Sequence, residues 1–264
     1  SFPTRRSSDL LVAGIVPVFL GSIYSKYAFL KFNILYFILL IVAMILIQSA
    51  TNMVNDYSDF KSGADNKKSG NEKALVSGEI TSKQVLVTIF LFQLIACMIG
   101  IFIASQTSYY ILIVAIIGGI ISISYAFGPF PISYTPFGEA VAGITMGIGI
   151  TTTVIYIQSG AINLNTFLVA IPTVIYISTI LLSNNISDLQ EDREVGRKTL
   201  PILLGVKNAE KLWIINVIII LVLTFILVLV HIYPIVVLVT VLIFFPYKSI
   251  IDFISYDKNM NTKG

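Results

Sequence analysis

Charge is what this sequence has least of. Only 12% of its 264 residues are charged and 56% are hydrophobic, whereas soluble domains carry roughly 25% charged residues. So few charges cannot cover a water-facing surface, and a mean hydropathy of +0.89 points the same way. A soluble globular domain is excluded. The formal net charge of +3 is small and comes from local clusters, which leaves no basic surface for a nucleic acid. The single cysteine, Cys97, sits in an apolar run and can form no internal disulfide, so redox compartment stays open. With one cysteine and one histidine, His231, zinc has no ligand set.

What the chain does have is long apolar runs. A membrane-crossing helix needs about 20 mostly apolar residues with every backbone hydrogen bond closed internally. Eight stretches qualify: 10–24, 32–54, 84–104, 109–127, 137–157, 166–183, 212–230 and 232–247. The last two form one run too long for a single crossing, and His231, Tyr233 and Pro234 supply the turn that divides it. The opening SFPTRRSSDL is polar and reads like translated adapter sequence, with a native basic amphipathic start as the competing reading. Residues 1–9 are therefore set aside as a non-native segment. Residues 10–264 are read as one transmembrane domain, incomplete at both ends, with a ninth span expected beyond it.

Lysine and arginine give the expected sidedness. Lys61, Lys67, Lys68, Lys73 and Lys83 lie between spans two and three, and Arg193, Arg197, Lys198, Lys207 and Lys211 between six and seven. The connections after spans three, four, five and seven hold none. Four spans separate the rich loops, so both fall on one face, and positive charge assigns that face to the cytoplasm of a cell membrane.

The carboxylates share those loops: ten of the 14 acidic residues fall there. Solvated loop charge is the plain reading for Glu72, Glu79, Glu191, Glu194 and Glu210. The aspartates are spaced differently. Asn184, Asp188 and Asp192 recur every four residues and stack on one helical face if span six extends that far. Asn52 and Asp56 repeat the spacing at the end of span two, with Asp59 three residues on. Like charges so placed repel unless a cation sits between them. Hard oxygen ligands suit magnesium, which takes one or two carboxylates plus substrate phosphates. Lys73, Arg193, Arg197 and Lys198 could hold a diphosphate's remaining oxygens. Spacing and charge thus predict a magnesium-diphosphate receptor at the membrane surface.

NMVNDYSDFKSGAD, from Asn52 to Asp65, resembles the first aspartate-rich motif of the UbiA superfamily of membrane prenyltransferases. NNISDLQEDREVGRKTLPILLG, from Asn184 to Gly205, resembles the second, and the likeness runs through EKALVSGEITSKQV and SYAFGPFPISYTPFGEAVAGITMGIG. Motif wording is most similar to the 1,4-dihydroxy-2-naphthoate polyprenyltransferase branch of menaquinone synthesis. The stretch after Glu139 and Pro201 depart from the usual pattern.

The resemblance implies an all-α transmembrane bundle around a cavity open to lipid. It implies magnesium-dependent transfer of a polyprenyl group from polyprenyl diphosphate to an aromatic acceptor resembling dihydroxynaphthoate, giving demethylmenaquinone. Asp56, Asp59 and Asp65 would hold one ion, and Asp188 with Asp192 a second. Asn52, Asn55, Lys73, Asn184, Arg193 and Lys198 would contact the diphosphate. Tyr57, Tyr125 and Phe127 are candidates to face the allylic cation, set against ordinary packing among 13 tyrosines and 17 phenylalanines. Two alternatives stay open: the same chemistry on 4-hydroxybenzoate or another aromatic compound, and a membrane transporter. Transporters favour ionisable groups near the midplane.

Overall fold

The computed structural model describes residues 3–62, 74–126 and 130–238. Among these every regular element is a helix. In chain order they are α1 (Pro3–Phe29), α2 (Ile34–Ser62), α3 (Ala74–Ser77), α4 (Ser82–Gln106), α5 (Tyr110–Ala126) and α6 (Gly138–Ser159). They continue with α7 (Leu164–Ser187), α8 (Leu189–Glu194), α9 (Leu200–Leu204) and α10 (Val206–Leu229). Six helices are long and apolar enough to cross a membrane: α2, α4, α6, α7, α10 and the Leu11–Phe29 part of α1. At 17 residues α5 falls at the short end of the roughly 17–25 needed. Seven of the eight expected spans are thus helical; the eighth, 232–247, falls mostly outside the described residues, as does Phe127.

Local signals set the boundaries. Thr81 and Gln84 form a reciprocal capping box at the start of α4, and Asn163 with Thr166 does the same for α7. Gly160, at φ 73°, ends α6 and returns its N–H to the Tyr156 carbonyl at 2.8 Å. His231 adopts φ 58° in the turn that ends α10, where the sequence places it.

One end of the bundle is tied together by side chains. Lys31 Nζ donates to the Ser159 carbonyl at 2.8 Å, and the Asn33 N–H to Gln158 Oε1 at 2.7 Å. Tyr233 Oη donates to the Val169 carbonyl at 2.7 Å, and Tyr27 Oη to the His231 carbonyl at 3.3 Å. Two apolar clusters gather there: Tyr24, Ile155, Val169, Leu227 and Tyr233 in one, Ile103, Ala104, Ile111 and Ile157 in the other. We call this the outer end.

The central helices α1, α6 and α7 pack tightly, while α2 and α4 expose apolar faces such as Ile38, Phe90 and Ile101. Close approach of α6 to α7 depends on glycine. A Cβ on Gly147 would lie 2.7 Å from both the N and Cα of Val174, and one on Gly143 would lie 2.6 Å from the Val174 carbonyl. From Gly143 to Ile150 the helix widens to π geometry, a form usually limited to single turns.

Candidate active site at the inner end of the bundle

Helix direction brings the two aspartate groups to one end. Both α2 and α7 start at the outer end, beside the Asn33–Gln158 and Tyr233–Val169 contacts. The 29 residues of α2 rise about 43 Å, and the 24 of α7 about 36 Å, so both finish at the opposite, inner end. Asn52 and Asp56 lie on the last turns of α2; Asn184 and Asp188 close α7, and Asp192 lies on α8.

Across the α7–α8 junction the backbone keeps its four-residue spacing. Asp188 departs from helical geometry at φ −93° and ψ 9°. Its N–H still donates to the Asn184 carbonyl at 2.9 Å, and the Asp192 N–H to the Asp188 carbonyl at 2.8 Å. The expected stack of Asn184, Asp188 and Asp192 therefore survives a break in the helix.

Asp192 is the member whose environment the spacing does not reveal. It is 3% exposed, and its Oδ1 accepts from Arg197 Nη1 at 2.8 Å. Five residues of continuous helix would not align that pair. The turn does it: Gly196, at φ 77°, donates to the Arg193 carbonyl at 3.1 Å, and the Arg197 N–H to the Asp192 carbonyl at 2.9 Å. Those two bonds form a Schellman motif that folds Arg197 back over α8. Its guanidinium carbon lies 4.8 Å from the Tyr134 ring centroid, and the Lys198 N–H donates to the Tyr134 carbonyl at 2.8 Å. Burial alone would lower the Arg197 pKa, but Asp192 and Tyr134 outweigh it and hold it above the ordinary value. Arg197, read from sequence among the cations that could hold diphosphate oxygens, is ion-paired to Asp192 through Nη1.

Glu139 opens α6 and is 4% exposed. Its Oε1 accepts from Asn185 Nδ2 at 2.8 Å, and its backbone carbonyl accepts from Ser178 Oγ at 2.9 Å. Tyr125 Oη lies 3.5 Å from where a Cβ on Gly138 would sit, which puts Tyr125 beside the start of α6. Spacing did not single out Glu139, Asn185 or Tyr134. One signal was available for Glu139, the only acidic residue between Glu79 and Asp188: a lone acid in an apolar stretch marks a site.

The remaining expected residues are placed as follows. Asp56 and Asn55 are exposed and Asn52 half-buried on α2. Tyr57 is half-buried, with Lys61 Nζ 5.8 Å from its ring centroid. Arg193 and Lys198 are exposed beside the second group. Asp65, Lys73 and the side chain of Asp59 lie outside the described residues. Among the described residues no three His, Cys, Asp or Glu side chains converge as a metal cluster.

Several buried polar atoms at this end have no hydrogen-bond partner among the described residues: Asn184 Nδ2, Arg197 Nε, Thr199 Oγ1 and Glu139 Oε2. Three of these can donate. Buried polar atoms are ordinarily paired, so unmet donors beside carboxylates suit an anion held together with a cation.

The model of the UbiA prenyltransferase family matches residues 14–262. The 1,4-dihydroxy-2-naphthoate octaprenyltransferase of Bacillus subtilis is 38% identical over 200 residues, 75% of this chain and 64% of that protein. Human UbiA prenyltransferase domain-containing protein 1 is 31% identical over 73% of this chain and 57% of its own length. The chain thus spans less than two thirds of these relatives. Among solved structures, a UbiA homolog from Archaeoglobus fulgidus bound to GPP and Mg2+ superposes at a TM-score of 0.63. That pair shares 15% identity and covers 93% of this chain and 86% of the other. The apo UbiA homolog from Aeropyrum pernix K1 matches at a TM-score of 0.63 with 18% identity, over 81% of this chain and 76% of the other.

Proposed function

This chain belongs to the UbiA prenyltransferase family, and on that premise we propose that it transfers a polyprenyl group from polyprenyl diphosphate to 1,4-dihydroxy-2-naphthoate. The observation that carries the reading is the placement of two Asn-and-Asp helix ends, on α2 and α7–α8, at the same end of the bundle, with buried donors without partners among the described residues on the α7–α8 side. The Bacillus subtilis relative, named for that acceptor, favours dihydroxynaphthoate.

The residues fit a magnesium-diphosphate group. Hard carboxylate oxygens, with water and phosphate oxygens completing the shell, are what magnesium takes. Asp56, Asp59 and Asp65 would hold one ion, and Asp188 with Asp192 the other. Magnesium, when bound, supplies positive charge against the diphosphate as it leaves. Asn52, Asn55, Lys73, Arg193 and Lys198 donate to the diphosphate oxygens, and Asn184 Nδ2 does so from a buried position. Arg197 pairs with Asp192 through Oδ1, which holds that carboxylate in place beside Asp188. Tyr57 on α2 and Tyr125 at the end of α5 are the candidate aromatic faces, and cation–π attraction of about 0.5–2 kcal/mol would favour the allylic cation over one of them.

In the reaction the prenyl carbon–oxygen bond breaks and the diphosphate takes the electron pair. The ring carbon bearing the carboxylate forms the new carbon–carbon bond. Carbon dioxide then leaves, returning its bonding electrons to the ring, and the product is demethylmenaquinone in its quinol form. The prenyl tail lies along apolar helix faces open to lipid. The inner end carries Lys61, Lys83, Arg193, Arg197, Lys198, Lys207 and Lys211, the outer end Lys26 and Lys31, an excess that favours the cytoplasmic side of the cell membrane for the inner end.

The test is turnover of radiolabelled polyprenyl diphosphate in membranes expressing the protein, with dihydroxynaphthoate or 4-hydroxybenzoate, with and without magnesium. Magnesium-dependent prenylated naphthoquinol is the expected product. Transfer to 4-hydroxybenzoate alone would keep the chemistry and reject the acceptor; transfer to neither, from folded protein, would reject both.

A further inference from the structure

Glu139 lies outside both aspartate motifs, yet it is buried at the inner end and joined to α7 at two points. Its backbone carbonyl receives Ser178 Oγ and its side chain receives Asn185 Nδ2. Seven residues separate those donors, about two turns of helix. One turn further into α6 begins the glycine contact with Val174 and Ser178. Glu139 is therefore the polar end of a seam that fixes α6 against α7.

Asn185 directly follows Asn184, and Asp188 is three residues beyond it. Rotation of the last turn of α7 about its axis is what aims Asn184 and Asp188. The Asn185–Glu139 bond opposes that rotation. It also stands just before the break at Asp188, where the backbone leaves helical geometry and constrains least. Burying a carboxylate with a single side-chain donor, its Oε2 without a partner among the described residues, is costly. An apolar residue would pack there at lower cost if packing were all the position required.

We infer that Glu139, through Asn185, is a positioning residue that sets the orientation of the Asn184–Asp188 ligand face on α7. This rests on the reading of that face as a magnesium-diphosphate site. Partners that hydrogen-bond metal ligands typically change metal affinity or activity 10–100-fold when removed; Glu139 with Asn185 would act on Asn184 and Asp188 through the α7 backbone that carries all three.

The experiment uses the full chain in lipid nanodiscs, with Glu139→Leu, Glu139→Gln, Asn185→Ala and the Glu139→Leu/Asn185→Ala double variant. Manganese(II) titrated in the presence of inorganic diphosphate, with the free ion read by electron paramagnetic resonance, reports metal binding without turnover. Prenyl transfer gives the magnesium dependence and the acceptor KM. Glu139→Leu and Asn185→Ala should each weaken manganese binding and raise half-saturating magnesium by about tenfold or more, with acceptor KM unchanged. The double variant should be no worse than either single one. Glu139→Gln, whose amide oxygen still accepts from Asn185, should recover most of the binding. Wild-type manganese affinity in both Asn185→Ala and Glu139→Leu overturns the positioning role while leaving the site reading intact. So does a Glu139→Gln as defective as Glu139→Leu, or additive losses in the double variant. Wild-type protein that neither binds manganese nor transfers prenyl groups overturns the site reading and this inference together.

Discussion

Replacing Arg197 with methionine tests how the second motif is built. The Asp192 side chain is 4% exposed and that of Arg197 22%, with 2.8 Å between Oδ1 and Nη1. At an effective dielectric of about 20 the Coulomb attraction at that distance is about 6 kcal/mol. Removing arginine also recovers its desolvation cost, and breaking buried pairs costs about 3–5 kcal/mol in practice. Water reaches part of Arg197, so the lower figure applies; the Tyr134 contact at 4.8 Å adds up to about 1 kcal/mol. About 3 kcal/mol in a chain this size lowers the unfolding midpoint by about 6–12 °C. The assay is thermal unfolding of the solubilised protein at matched scan rate and detergent, not turnover, because Asp192 is itself assigned to the site. Adding Asp192→Asn to Arg197→Met removes the stranded charge and should restore roughly half the loss, with a coupling of about 2 kcal/mol across the cycle. The arginine contribution is complete below its unfolded pKa and is lost only as pH passes the raised folded value. The deficit should therefore be constant across the neutral range. An Arg197→Met midpoint equal to wild type, or additive single changes, would refute a structural Asp192–Arg197 pair.

Two further outcomes are expected. Asp56→Asn and Asp188→Asn should each lower turnover by roughly 10²–10³-fold, the scale of losing one preorganised charge contact, with unfolding midpoints unchanged. Near-wild-type turnover in both would reject the two-group site. Gly147→Ala should destabilise by about 1–3 kcal/mol, since its Cβ meets the Val174 backbone at 2.7 Å. Gly149→Ala, with open space at its Cβ, should be neutral. Equal midpoints for the two alanines would reject the close α6–α7 seam.

Sequence and structure agree where information is local. Asn52 with Asp56, and Asn184 with Asp188, share faces because the helical period fixes them, and spans one to seven follow apolar runs. Three features were hidden for distinct reasons. The Glu139–Asn185 bond joins residues 46 apart, and only α6–α7 packing brings them together. Asp192 and Arg197 are five apart and would diverge on a continuous helix; the left-handed Gly196 reverses the chain between them. The π stretch GITMGIGI is apolar on all sides, so a wider turn leaves no mark on its hydrophobic pattern.

The two ends of the bundle divide the work of stability and chemistry. At the outer end the apolar clusters coincide with satisfied polar contacts: Lys31 on Ser159, Asn33 on Gln158, Tyr233 on Val169. At the inner end Asn184, Arg197, Thr199 and Glu139 each keep a buried polar atom without a partner among the described residues. Unmet buried groups cost about 1–3 kcal/mol each, a cost the inner end could not carry without the packing at the other end of the same helices. Sequences depart from local satisfaction mainly where function demands it. Asn184, Arg197 and Thr199 flank the helix ends that carry Asp188 and Asp192, and Thr151 Oγ1 is a further such atom within α6. An occupant that removes the cost must accept hydrogen bonds from Asn184 and Arg197 while bringing positive charge to the aspartates. A diphosphate bound together with magnesium does both; a bare metal ion or a bare anion does only one.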